Sequence, residues 1–107
     1  MKKKKVLIFI LCYKASFRLL EVFNKIPFNK NKDFNLSVLI SDDNSNDDTL
    51  NYAKTIQSTK NKVIINSNKI NLGYGAHIKK CFLFALRNKF DYAVMIHGDG
   101  QYNPTYI

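Results

Sequence analysis

Apolar residues fall along the chain in short blocks separated by polar stretches, and the spacing within blocks alternates between two kinds. Val6 to Leu11 is an unbroken apolar run rich in β-branched residues, as expected of a strand covered on both faces. Leu19, Val22, Phe23 and Ile26 then recur at helical spacing, with Ser16 placed to cap that helix and Pro27 to end it. The alternation repeats. Leu36 to Ile40 predicts a second strand, and Ser45 with Asp48 three residues on predicts a capping-box-like start for a helix through Leu50, Ala53 and Ile56. Val63 to Ile65 predicts a short third strand. A longer helix is expected from Gly75 to about Lys89, with Ile78, Cys81, Phe82, Ala85 and Leu86 on its buried face. His77, Lys80, Arg87 and Asn88 lie opposite, His77 being read as a solvated helix residue, while Phe84 sits off the stripe, toward a second surface. Tyr92 to Ile96 predicts the fourth strand, and Asn103-Pro104 opens a turn or a new helix.

Strands separated by helices of this length imply right-handed crossovers and a parallel sheet. The expected fold is α/β: about four parallel strands in order 3-2-1-4 with helices on both faces, a partial Rossmann-like nucleotide-binding domain. Returning to place the fourth strand beside the first opens a crevice at the carboxyl ends of those two strands, where open α/β sheets bind ligands. Polar residues fall where that rule wants them. Cys12 and Tyr13 follow the first strand, Asp42 and Asp43 the second, and His97, Gly98 and Asp99 the fourth.

At 107 residues the chain is read as one domain, residues 1–107, with residues 1–5 as a basic lead-in. The longest apolar run, Val6 to Tyr13, is far short of the roughly 20 residues that cross a bilayer, so no transmembrane helix is expected. The same run follows Lys2 to Lys5 as in a signal peptide, but it is too short, strand-like, and followed by no small-residue cleavage site. Cys12 and Cys81 lack ligand-like spacing and suggest reduced thiols, which places the protein in the cytoplasm. The net charge of +9 comes from 15 lysines and two arginines, Arg18 and Arg87, spread among 13 asparagines. A nucleic-acid reader uses arginine forks and interleaved aromatics, so no nucleic-acid partner is expected. The charge reads as a solvated basic surface, with peripheral association to an anionic membrane as the alternative.

The chemistry concentrates in two acidic segments at strand ends. Ser41 to Thr49 reads S-D-D-N-S-N-D-D-T directly after an apolar strand, and His97 to Gln101 reads H-G-D-G-Q after another. Carboxylates held by backbone at strand ends can bind a hard cation, or accept base and ribose hydrogens, with fixed geometry. Glycines flanking Asp99 would let a diphosphate approach the backbone. Asp47 and Asp48 are assigned mainly to the helix N-terminus. Asn71 to Gly75 is either a ligand contact or a loop and helix start, and Cys12 is more naturally core than nucleophile.

These segments resemble family 2 glycosyltransferases of the GT-A fold. Ser41 to Thr49 is similar to the D-D-x-S-x-D-x-T segment after the second strand, and His97 to Gln101 to the D-x-D-containing segment with His in place of the first Asp. Ile10 to Lys14 is similar to the opening I-P-x-Y-N, and Asn71 to Ala76 to the N-x-G-x-G-x segment before the third helix. All four occur in the family's order. The resemblance covers nearly all of this chain but the first half of a family domain.

It implies a transferase that uses a nucleotide-diphosphate sugar, with a UDP-sugar as the expected donor and a polysaccharide or lipid carrier as acceptor. Asp43, with Asp42 beside it, would recognise the nucleoside; Cys12 and Tyr13 would line the base pocket; Gly73, Gly75, His97 and Gly98 would lie close to the nucleotide. Asp99 would bind Mn²⁺ or Mg²⁺ bridging the phosphates. Leu11 and Lys14 depart from the opening motif, and His97 removes one carboxylate, which makes it a sugar-contacting group or one that supports the metal's ligands rather than a ligand of a hard metal. The family's catalytic base lies well beyond Gln101, so no catalytic residue is expected in this chain, which is read as a donor-binding half inactive alone and prone to dimerise through its uncovered face. A phosphorylation-receiver domain, the alternative, would carry its acidic pair at the end of the first strand, whereas here a full strand-helix unit precedes it.

Overall fold

The computed structural model describes residues 3–28, 33–60 and 62–98. The elements run β1 (Lys4–Cys12), α1 (Arg18–Asn24), β2 (Phe34–Asp42), α2 (Thr49–Thr59), β3 (Val63–Ser67), α3 (Tyr74–Arg87) and β4 (Tyr92–His97). The strands form one parallel sheet in the expected order β3-β2-β1-β4. Successive strand side chains point to opposite faces, and in β1 both faces are covered. Val6, Ile8, Ile10 and Cys12 meet Val38, Ile40, Val63 and Ile96 beneath α1 and α2, which supply Leu19, Val22, Phe23, Ala53 and Ile56. Leu7, Phe9 and Leu11 pack with Leu39 beneath Cys81 and Ala85 of α3. Burying each large side chain contributes about 1.5–3 kcal/mol, so β1, flanked on both sides by strands, anchors the domain. Among the described residues no helix is long and apolar enough to cross a membrane.

Three local expectations are corrected. Ser16 does not cap α1, whose N-terminus has no side-chain cap; its backbone N–H instead donates to Thr49 Oγ1 at 2.8 Å. Ser45 does not start α2 either. That helix begins at Thr49, without a side-chain cap bond from Asp48, while Asp47 Oδ1 accepts the Thr49 N–H at 2.9 Å. The third correction is the phase of α3. Its buried residues are His77, Cys81 and Ala85, with Ile78 and Phe84 partly buried, whereas Phe82 is exposed and Leu86 is 74% exposed. Phe82 still sets its ring edge-on to Phe9, 4.9 Å between centroids.

Candidate functional site

The strand order brings the ends of β1, β2 and β4 to one edge of the sheet. Leu11 pairs with His97, and Cys12 with Asp42. Two hydrogen bonds extend the ladder beyond the strands: Asp43 N–H donates to Cys12 C=O at 2.9 Å, and Gly98 N–H donates to Leu11 C=O at 2.8 Å. Asp43 after β2 and Gly98 after β4 are thereby fixed to the end of β1, on either side of it. Lys14, Ser16, Asn44 and Asn46 all adopt left-handed backbone, with φ between 52° and 61°. Such residues persist only where the surroundings over-determine them. Here the restraint comes from the neighbouring segment: after β1, Lys14 N–H donates to Ser45 Oγ at 2.7 Å, and Ser16 N–H to Thr49 Oγ1 at 2.8 Å, both beyond β2.

The two carboxylates expected to read a nucleoside are both buried and bonded to the chain itself. Asp42 accepts the N–H of Ser45 on Oδ2 at 3.0 Å and the Ser45 hydroxyl on Oδ1. Asp43, 3% exposed, accepts Asn68 Nδ2 and Leu72 N–H on Oδ1, at 2.9 and 2.7 Å, and Gly73 N–H on Oδ2 at 3.0 Å. The segment between β3 and α3 therefore closes on the loop after β2 through Asp43. Burial pushes the Asp43 carboxyl upward, but the bonds from Leu72, Asn68 and Gly73 and the nearby His77 outweigh it, so it lies below its ordinary 3.8. Gly73 is the residue this clasp requires, since its φ is +83°.

His77, expected in solvent, is 3% exposed and faces the sheet, its Nε2 2.7 Å from Ser41 Oγ. The Ser41 hydroxyl also accepts Asn66 Nδ2 at 2.9 Å. Burial pushes the His77 pKa below its ordinary 6.5; Asp43 and Asp42 raise it and Lys80 lowers it. The buried ring is thus held neutral near neutrality, and the unfolded chain binds more protons than the native one once the pH drops below 6.5. Stability should be fully present above that pH and decline as the pH falls from 6.5 toward the lowered native value. Thermal unfolding of the wild type and of His77→Gln across pH 5 to 8 checks this. The wild-type midpoint should drop more steeply at the acid end; parallel curves would show that His77 is not held neutral.

The other expected residues are placed as follows. Tyr13 is 51% exposed at the end of β1, with Lys14 Nζ 5.3 Å from its ring centroid. The Cys12 side chain is buried in the core beneath α1. Gly75 lies in the first turn of α3, with open space where a side chain would be. His97 stacks on the exposed ring of Tyr74, with centroids 5.7 Å apart and planes 6° from parallel. The room left by the missing Gly98 side chain, expected to admit a diphosphate, is taken by Cys12 Sγ, 2.8 Å from where a Cβ would stand. Asp99, the expected metal ligand, lies outside the described residues. Among those described, no group of three or more His, Cys, Asp or Glu could hold a metal ion, and both Asp42 and Asp43 are turned to N–H or O–H donors of the chain. The described residues alone do not form a divalent-cation site.

Sequence reasoning missed the polar partners of the acidic loop: Ser41, Asn66, Asn68, His77 and Lys80. Polar residues ending β2 and β3 side by side, Ser41 opposite Asn66 and Asp42 opposite Ser67, were the available signal.

The family model described as "Glycosyl transferase family 2" matches residues 7–107. No curated protein matches the chain. Among solved structures, S. aureus TarS 1–349 superposes with a TM-score of 0.70 at 20% identity, over 95% of this chain and 29% of that one. The same protein in complex with UDP-GlcNAc gives 0.67 at 21% identity, over 89% of this chain and 26% of its own. Its complex with UDP gives 0.65 at 20% identity, over 89% and 27%. The chain thus spans between a quarter and a third of the length of these structures, and the likeness is one of fold.

Proposed function

The chain belongs to glycosyl transferase family 2, and from that premise we propose that its residues bind the donor, a nucleotide-diphosphate sugar of the uridine class, for transfer to an acceptor such as a polysaccharide or lipid carrier. One observation carries this reading: Asp43 after β2 and Gly98 after β4 are both hydrogen-bonded onto the end of β1, at the reversal of strand order where open α/β sheets receive ligands. Tyr13 supplies an exposed aromatic face at that edge, suited to a base, and Tyr74 stacked on His97 a second one. Asp43 Oδ2 accepts from Gly73, and a carboxylate has acceptor places for about four hydrogens. It can therefore accept a further N–H or O–H from base or ribose. That S. aureus TarS is seen with UDP-GlcNAc and with UDP supports the choice of uridine. Mn²⁺ or Mg²⁺ would neutralise charge on the leaving diphosphate; that part of the proposal rests on Asp99.

Calorimetric titration of UDP into the chain, with and without Mn²⁺, tests the reading. Binding is expected in the wild type, weakened about tenfold or more in Asp43→Asn, as for loss of a hydrogen bond to a charged group. Asp99→Asn should remove the benefit of added metal. Equal affinity in wild type and Asp43→Asn would place the nucleotide elsewhere.

A further inference from the structure

Asn68 sits behind the acidic loop, 3% exposed, and every polar atom of its side chain is engaged. Its Oδ1 accepts Lys80 Nζ at 2.6 Å and Asn66 Nδ2 at 3.0 Å, and its Nδ2 donates to Asp43 Oδ1 at 2.9 Å. Its backbone N–H donates to Asp42 C=O at 2.8 Å. The amide can take one orientation. Turned over, it would set its NH₂ against an ammonium and another amide donor, and its carbonyl against a carboxylate. Lys80 comes from α3, two turns of chain away from the clasp, and acts on Asp43 through the amide rather than by direct contact.

We propose that Lys80 and Asn68 are positioning residues for the donor nucleotide. Resting on the reading above, this says that the ammonium locks the amide, and the amide locks the carboxylate that reads the base. Asp43 Oδ1 is filled by Asn68 and Leu72, which leaves Oδ2 as the oxygen able to accept from a ligand. Uracil presents a ring N–H between two carbonyls and cytosine presents a bare ring nitrogen, so a carboxylate held in this way favours the former. Without Lys80, the amide can turn and the carboxylate loses its fixed placement, so selectivity between bases falls along with affinity.

The experiment compares UDP and CDP binding by calorimetry in the 107-residue chain for wild type, Lys80→Met, Lys80→Arg and Asp43→Asn. Lys80 is exposed, so Lys80→Met leaves the core untouched. Lys80→Met should weaken UDP about fivefold while changing CDP little, a loss in the range of one modest hydrogen bond. Lys80→Arg, which restores a cationic donor, should return the preference for UDP to within about twofold of wild type. Equal weakening of both nucleotides would mean that Lys80 supports the fold alone, and would overturn the proposal, as would an unchanged UDP-to-CDP ratio. If Asp43→Asn abolishes the preference but Lys80→Met does not, the donor reading stands and this inference fails. If wild type binds neither nucleotide, both fail.

Discussion

Asp43→Ala is expected to lower the unfolding midpoint by about 15 °C, more than any other single change in the loops. Removing the carboxylate leaves Asn68 Nδ2 and the Leu72 N–H without this acceptor, whereas the Gly73 N–H keeps its bond to Asn71 Oδ1 at 3.0 Å. An unsatisfied buried donor costs about 1–3 kcal/mol, and with some rescue by water the total is about 3 kcal/mol. In a domain of this size each kcal/mol shifts the midpoint by roughly 4–8 °C. The charge adds a pH signature. Because the native pKa lies below 3.8, the stability due to ionisation is present above that pH and is lost as the pH falls through the native value. The wild type should therefore lose stability at strongly acid pH by a step that Asp43→Ala lacks. Asp48→Ala, at a helix start where the side chain makes no cap bond, is the control and should change little. Circular dichroism melts of the three proteins suffice, and a midpoint for Asp43→Ala within a few degrees of wild type would mean that the clasp is not structural.

Gly98→Ala should be nearly as damaging, for the opposite reason of too many atoms. The added Cβ would stand 2.8 Å from Cys12 Sγ and 3.2 Å from Leu11 C=O, while Gly98 N–H is bonded to that same carbonyl. Neither neighbour yields easily, since Cys12 is buried in the core and Leu11 belongs to the central strand. Overpacking of this kind costs about 1–3 kcal/mol. The strain should be partly relieved in the double variant Gly98→Ala/Cys12→Ala, where the thiol is gone and the carbonyl contact remains. A double-mutant cycle by urea unfolding should show a favourable coupling of about 1 kcal/mol. Additive losses would show that the close approach is not what constrains position 98.

The elements that the sequence revealed are those whose signal is local. A strand covered on both faces must be a continuous apolar run, so β1 and β2 are visible in Val6 to Leu11 and Leu36 to Ile40, and the helices between them imply parallel neighbours. Strand ends were less visible. β3 extends through Asn66 and Ser67 because Ser41 and Asp42 lie opposite, and no residue within the segment states this. The serines at 16 and 45 carry ordinary capping chemistry, but the Ser45 hydroxyl is engaged by Asp42 and Lys14, and Ser16 is held through its backbone N–H by Thr49. A capping bond competes with any other partner the fold brings near, and the fold brings these two loops together.

The face of α3 shows the same division. Its apolar residues lie nearly all round, so periodicity identifies a helix without fixing which side is buried. That was decided by what the sheet presents beneath it: Leu39 and Leu11 toward the middle, and the hydroxyl of Ser41 at the end, which only a polar residue such as His77 can satisfy. The sequence by itself determined the alternation of strands and helices, their parallel order, and the placing of Asp42, Asp43 and His97 at strand ends. Only the tertiary structure decided what those residues do there, because a carboxylate at a strand end can face a ligand or the chain's own N–H groups with equal local chemistry. Three of the acceptor places of Asp43 were taken by Asn68, Leu72 and Gly73, residues 25 to 30 positions away that the return from β3 to α3 carries back across the end of β2.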